Sequence, residues 1–333
     1  MHSGFFHKKG ETKMKKTLGI VALTILGSLS MLASCGSSST VKRIGILQVA
    51  THTALDADRL GFISALEEEG FKDGDNIKIT VQNPQGDTAT ENSMATSLAT
   101  NSDLVFGIAT SSSLALKTAV SDLGKTTPVL YSAVTSPVDA GLIKSNTDHG
   151  NVVGTSDAGP TAKNIALFKK FTGIKKIGII YNQAEKNSQI QKDECEAACT
   201  DLGLTLVDGG FTSASEVSST LSGIIGQGIQ GLFVPTDNTV ASNMSSIKET
   251  LIEKKIVTIC ADKASTEAGG SLGYTVDYTI LGQTTGKMAA KILKGTDISY
   301  IDCSLSDSFP LDINESFFTA TGIAIPSDLK EGA

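Results

Sequence analysis

Lys42-Arg43-Ile44-Gly45-Ile46-Leu47 returns, almost unchanged, as Lys175-Lys176-Ile177-Gly178-Ile179-Ile180. Each copy carries the short aliphatic run of a buried strand. Each leads into a polar loop and then a helical stretch closed by glycine, Gly70 in the first copy and Gly203 in the second. The glycine pairs Gly45/Gly178 and Gly70/Gly203 share one offset, so the strand–loop–helix unit has kept its length. Self-similarity at a fixed spacing decides architecture. Two copies at domain-sized spacing predict two similar α/β lobes, not a solenoid, with a ligand held between them.

The chain on either side fits that scheme. Apolar runs alternate with helical patterns, which predicts βαβ repetition and a doubly wound, mostly parallel sheet in each lobe. In the first lobe strands are expected at 43–47, 77–81, 104–108 and 128–131, with helices near 56–69, 88–100, 112–123 and 137–144. The second lobe repeats this with strands at 176–181, 205–208, 231–235 and 256–260, and helices near 188–202, 215–227, 239–254 and 265–268. Crossings between lobes are expected near 152–157, near 273–277 and after residue 300. The expected division is 42–154 with 277–299 as the N-terminal lobe, and 155–276 with 300–333 as the C-terminal lobe. Several thin crossings bend together as one hinge.

Residues 1–34 have the layout of a secretory leader. Lys13, Lys15 and Lys16 precede an apolar run from Leu18 to Leu29, and Leu32-Ala33-Ser34-Cys35 closes it with small residues. The alternative is an uncleaved membrane anchor. Met14 is the expected start, and 35–41 a flexible tether. The net charge of −7 argues against nucleic acid, whose binding needs clustered Lys and Arg. Four cysteines follow Cys35 and form no disulfide framework. Cys195 and Cys199, four apart on an expected helix, share a face and are expected in the core. Only His52 and His149 remain past the leader, which leaves little for a metal site; no cofactor is expected.

Ligands of open parallel sheets sit beyond the carboxyl ends of the strands, where strand order switches. That rule selects the loops 48–55, 109–113 and 132–137 in one lobe and 182–188, 236–239 and 261–264 in the other. Thr110-Ser111-Ser112-Ser113 opens a helix, where hydroxyls and free amides could seat a carboxylate, or one serine could simply cap. Asp237 occupies the matching position of the other lobe. It could accept from a ligand ammonium or cap the next helix. Asp262 is a second such candidate, and Asn187-Ser188 opens another helix.

Tyr181-Asn182 with Glu185, Asn187-Ser188 and Gln191 resembles a segment of the type I periplasmic-binding-protein-like ABC transporter substrate-binding proteins, a family that includes tryptophan-binding lipoproteins. Pro235-Thr236-Asp237-Asn238, Val134-Thr135-Ser136-Pro137-Val138 and Gly273-Tyr274 leading to Asp277-Tyr278 and Leu281-Gly282 are similar to further signatures of it. The likeness spans about Val41 to Leu329. Ser136 departs from it, since the family usually has Asp there. Leu32-Ala33-Ser34-Cys35 resembles a bacterial lipobox, which implies cleavage before Cys35 and lipid on its sulfur. The resemblance implies a cleft closing over a small solute, with an aromatic amino acid favoured. It implies an ABC permease and ATPase as partners, an extracytoplasmic, lipid-anchored location and a monomer. The ligand-facing residues it implies are Thr110, Ser111, Ser112, Ser132 and Thr135, opposed by Asn187, Ser188, Thr236, Asp237, Asn238 and Asp262, with Gln48 in addition.

Other motifs fail. Gly226-Gln227-Gly228-Ile229-Gln230-Gly231 matches G-x-G-x-x-G but precedes a strand, so it is no dinucleotide fingerprint. Gly286-Lys287 lacks the glycine a P-loop needs, and no G-x-S-x-G or H-E-x-x-H occurs. A two-cysteine racemase needs a thiol from each lobe, whereas every cysteine after Cys35 follows residue 190. An enzyme is therefore not expected. A ligand-sensing ectodomain for a signalling partner is the alternative to an importer receptor.

Overall fold

The computed structural model describes residues 41–306 and 308–330; the leader and Cys35 lie outside them. The repeated hexapeptides are β1 (Lys42–Gln48) and β6 (Lys176–Asn182), each a central strand flanked on both sides by parallel neighbours. Their shared glycine has a shared cause. A Cβ at Gly45 would come within 2.6 Å of Ser102 Oγ, and one at Gly178 within 3.0 Å of Ile224 Cδ1. Both mark points where a covering element lies close on the strand.

The first lobe continues through α1 (Thr53–Glu68), β2 (Ile77–Gln82), α2 (Thr88–Asn101), β3 (Leu104–Ile108), α3 (Thr110–Asp122), β4 (Val129–Ser132) and β5 (Val152–Ser156). The chain then crosses to α4 (Thr161–Leu167), β6, α5 (Lys186–Leu202), β7 (Thr205–Phe211), α6 (Val217–Gly226), β8 (Gly231–Val234), α7 (Asn238–Glu253), β9 (Val257–Cys260), α8 (Lys263–Ala268) and β10 (Leu272–Tyr274). It returns as α9 (Tyr278–Leu293) and β11 (Ser304–Leu305), and crosses a last time to β12 (Leu311–Ile313), α10 (Glu315–Thr321) and α11 (Ser327–Lys330).

The two sheets have equivalent orders, β2-β1-β3-β4-β5-β11 and β7-β6-β8-β9-β10-β12. All pairings are parallel except β10 with β12. Buried aliphatic and aromatic side chains fill both faces of each sheet, as parallel sheets require. Cys195 and Cys199 are buried in the second core.

Each sheet has six strands where four were expected, β10 and β12 among the additions, and three further details differ from the sequence expectations. Residues 137–144 form turns, not a helix: Leu142 and Ile143 amides both return to the Pro137 carbonyl, and Gly141 takes a φ of +78°. That left-handed residue ends the helical path after a single turn. Residues 304–305 pair with β5 and so extend the first sheet, although the tail from 300 was expected in the second lobe. The third crossing therefore follows residue 306. Residues 152–156, read as part of the first crossing, are a full strand of the first sheet.

Candidate functional site

In both sheets strand order reverses around the hexapeptide strand, between β1 and β3 and between β6 and β8. The loops leaving these four strands converge on a cavity of about 350 Å³ between the lobes. The first lobe contributes Val49–Thr51, Gln85–Gly86, Thr88, Glu91, Thr110, Ser111 and Leu114. The second contributes Asn182, Ala184–Asn187, Ala214, Asn238, Thr239, Ser242 and Asn243. The loops selected by the switch-point rule are among those that line this cavity.

One wall is the N-terminus of α3. Ala109 turns the chain from β3 into α3 with a φ of +79°, a conformation that costs a non-glycine residue about 1–3 kcal/mol. The amides of Thr110, Ser111 and Ser112 lie in the first helical turn, where no intrahelical acceptor exists. They find no other acceptor among the described residues. Thr110 Oγ1 is buried and likewise unpartnered. Amides, hydroxyl and the positive end of the helix together suit a carboxylate.

Ser111 and Ser112 are used differently. Their hydroxyls donate to Glu91 Oε1, at 3.0 and 2.7 Å. Burial pushes the Glu91 carboxyl above its ordinary range; the two serines oppose this and the Glu185 charge adds to it. Glu185 stands on the opposite wall. Its oxygens accept from the Asn238 amide and Nδ2 (2.9 and 2.7 Å) and from the Thr239 amide and Oγ1 (3.0 and 2.7 Å). It ties the start of α5 to the start of α7. Asn187 lines the cavity while its Nδ2 donates to the Thr236 carbonyl at 2.7 Å.

Asp237 does not face the cavity. Its Oδ1 caps α7 by accepting the Val240 amide (2.7 Å), and its Oδ2 accepts the Asn182 amide (2.6 Å) and the Ser188 hydroxyl (2.7 Å). The capping alternative describes it, and the ammonium clamp does not fit a carboxylate so engaged. Burial and the nearby Glu185 push this carboxyl up to about 7, against the three donors. Ser188 is buried behind it. Asp262 is likewise a cap, accepting the Ser265 amide at 2.8 Å, and lies outside the cavity lining. Gln48 is absorbed within its own lobe, donating to the Ala50 carbonyl and Asp56 and accepting from Arg59.

Thr135 and Thr236 meet each other across the lobes at 3.2 Å, and Gln191 Nε2 donates to both. His52 Nε2 and Asn238 Oδ1 make a second bridge at 3.2 Å. Ser132 sits at the root of the crossings, accepting from Thr155 at 2.9 Å. Of the expected residues, then, Thr110, Ser111, Asn187 and Asn238 line the cavity; Thr135 and Thr236 join the lobes; Gln48, Ser112, Ser132, Ser188, Asp237 and Asp262 support from behind. Glu91, Thr51, Gln85, Thr239 and Asn243 were missed. Glu185, within the Tyr181–Gln191 segment, was missed as well. A signal for Glu91 existed: it shares the buried stripe of α2 with Ala95, Leu98 and Ala99.

Behind the cavity the crossings bury more acid. Asp58 is fully buried and neither oxygen has a hydrogen-bond partner of ordinary geometry among the described residues, and Asp157 accepts the Tyr278 hydroxyl at 2.7 Å. Burial raises both carboxyls, as it does those of Asp237 and Asp262. Folded-state values above the unfolded ones stabilise most at low pH, and that stability is lost as pH rises through the folded values. The thermal midpoint of the ligand-free protein should therefore fall between about pH 5 and pH 8. Asp58→Asn should flatten that slope; a midpoint that climbs over the same range would contradict the buried-acid account.

Among the described residues no helix is long and apolar enough to cross a membrane, and no cluster of His, Cys, Asp and Glu could hold a metal ion. The chain is 37% identical to a tyrosine-binding protein of Clostridioides difficile over 325 residues, covering 92% of each. A Streptococcus pneumonia ABC domain in complex with L-Trp superposes with a TM-score of 0.82 at 33% identity, covering 88% of this chain and 99% of that one. The ligand-free, open structure of a Clostridium difficile substrate-binding protein with adhesive properties gives only 0.65 at 40% identity, covering 86% and 97%. The poorer superposition at higher identity agrees with lobes that are closed here. Residues 43–333 match the sequence profile described as ABC transporter substrate binding protein, and with these relatives that match makes the chain a member of that family, with the type I periplasmic-binding-protein fold.

Proposed function

We propose that this protein captures an aromatic α-amino acid between its lobes and hands it to an ABC importer at the outer face of the cell membrane, held there by lipid on Cys35. The observation that carries the ligand reading is the pairing, in one cavity, of an α3 terminus fit for a carboxylate with Glu91 and Glu185, fit for an ammonium. The apolar lining is aliphatic, from Val49, Ala50, Leu114, Ala184 and Ala214. A ring would therefore be gripped by shape and not stacked on another ring. The volume falls in the range of small-molecule sites, about 300–1,000 Å³. The tyrosine-binding relative and the tryptophan complex support the aromatic choice.

A thermal-shift screen against amino acids, sugars and purines tests it. L-tyrosine or L-tryptophan at a hundred times its Kd should add about 2.7 kcal/mol of stability. A shift with a sugar or purine, and none with any aromatic amino acid, would overturn the ligand reading. Thr110→Val should weaken binding about 10-fold or more, the loss of a hydrogen bond to a charged group, by titration calorimetry. It should leave the ligand-free midpoint within a degree or two, because the Thr110 hydroxyl has no partner to lose among the described residues. Cys35→Ser should release the protein from membranes into the soluble fraction.

A further inference from the structure

We propose that Glu91 is the charge-selecting residue of the cavity, and that capture of an ammonium-bearing ligand expels the proton that Glu91 holds when no cation faces it. The inference rests on the amino-acid reading above and adds a thermodynamic coupling to it.

The two cavity carboxylates are not equivalent. Glu185 accepts four hydrogen bonds of 3.0 Å or less, two on each oxygen, all from the first turn of α7. Two of its donors are backbone amides at a helix N-terminus, which hold a carboxylate ionised. Glu91 has two donors, both hydroxyls and both on Oε1. Its residue is only 4% exposed, yet it lines the cavity, and Oε2 has no partner among the described residues. When the lobes close, two acids face one enclosed space, and the less supported one is Glu91. Like charges at such a site cannot both be ionised cheaply.

The other charged groups near the site do not replace a ligand cation. Lys186 lines the cavity from the start of α5, but it is exposed to solvent and makes no hydrogen bond to either carboxylate. Asp87, at the start of the helix that carries Glu91, is exposed and caps it through the Thr90 amide. Arg59 and Asp56 of α1 pair with each other and with Gln48 at the end of β1. His52 is engaged with Asn238. Burial already raises the Glu91 carboxyl.

An ammonium placed between the acids reverses the balance. The ligand N–H groups donate to Glu91 Oε2, the carboxyl gives its proton to the buffer, and no covalent bond is made or broken in the ligand. Capture therefore strengthens as pH rises from the ordinary carboxylate range toward the raised value of Glu91, and levels off above it. A ligand without the ammonium leaves Glu91 protonated and gains nothing from higher pH.

The test is titration calorimetry of the purified full-length chain in detergent with L-tyrosine and L-tryptophan. Each ligand is run from about pH 4.5 to 7 in buffers of different ionisation enthalpy. Proton release of up to about one per ligand is expected at the lower pH values, with affinity rising by up to tenfold per pH unit there. Glu91→Gln should abolish the release and flatten the pH profile. It should weaken the amino acid by about 10- to 100-fold at pH 7 while changing the deaminated analogue by less than threefold. Release that persists in a folded Glu91→Gln protein, or wild-type binding with no buffer dependence at any pH, overturns the coupling alone. Failure of both amino acids to bind the wild type overturns the ligand reading and the coupling together.

Discussion

Asp237→Ala should lower the thermal midpoint of the ligand-free protein by several degrees. The side chain caps α7, and the loss of such a cap costs about 0.5–2 kcal/mol. The change also strands the Asn182 amide and the Ser188 hydroxyl, two donors aimed at Oδ2. A buried donor left unpaired costs about 1–3 kcal/mol. Removing a carboxylate that lies near Glu185 returns part of this. A net loss of about 2–4 kcal/mol corresponds to roughly 3–7 °C in a chain of this size. Differential scanning calorimetry reads it directly. A midpoint unchanged within a degree, with ligand affinity lost instead, would restore Asp237 as a ligand contact and remove the capping account.

The second large effect belongs to Gly282→Ala. Gly61, Gly282 and Gly286 form the seam along which α1 and α9 approach each other, and a Cβ at Gly282 would overlap the Asp58 carbonyl oxygen. Backbone cannot rotate out of the way as a side chain can. Overpacking of this kind costs about 1–3 kcal/mol and sometimes more, and here the neighbour is buried Asp58. A loss of about 3 kcal/mol is expected in urea unfolding, with the slope unchanged. Because α9 follows the second crossing, the displaced helix should also disturb closure, so ligand affinity falls with stability. Gly223→Ala is the control: nothing lies within 4 Å of a Cβ there. Equal stabilities for Gly282→Ala and the wild type would show that the two helices separate at no cost.

The architecture was legible because it depends on periodicity, and periodicity is what a single sequence displays. Ile44-Gly45-Ile46 and Ile177-Gly178-Ile179 gave away two lobes, and the switch-point rule then picked the loops that line the cavity. The chemistry was less legible for a physical reason. A carboxylate after a strand can cap the next helix or reach a ligand, and Asp237 and Asp262 do the first. Sequence spacing cannot say where a side chain's oxygens find donors. Glu91 was hidden the opposite way, on a helix whose polar residues read as a solvated face, though Ala95 and Leu98 share its stripe. Strand β11 escaped because two residues carry no pattern at all.

The three crossings also set an order of assembly. The first lobe begins the chain but lacks α9 and β11 until residues 278–305 have been made. Until then the flank of α1 around Gly61 has no partner, and β5 is an open parallel edge. The second lobe waits as well, since β12 closes its sheet only at residues 311–313. Neither sheet has its last strand until residues 304–313 are made. With both sheets open at one edge until then, the residues made earlier stay short of their final packing for as long as those late strands are missing.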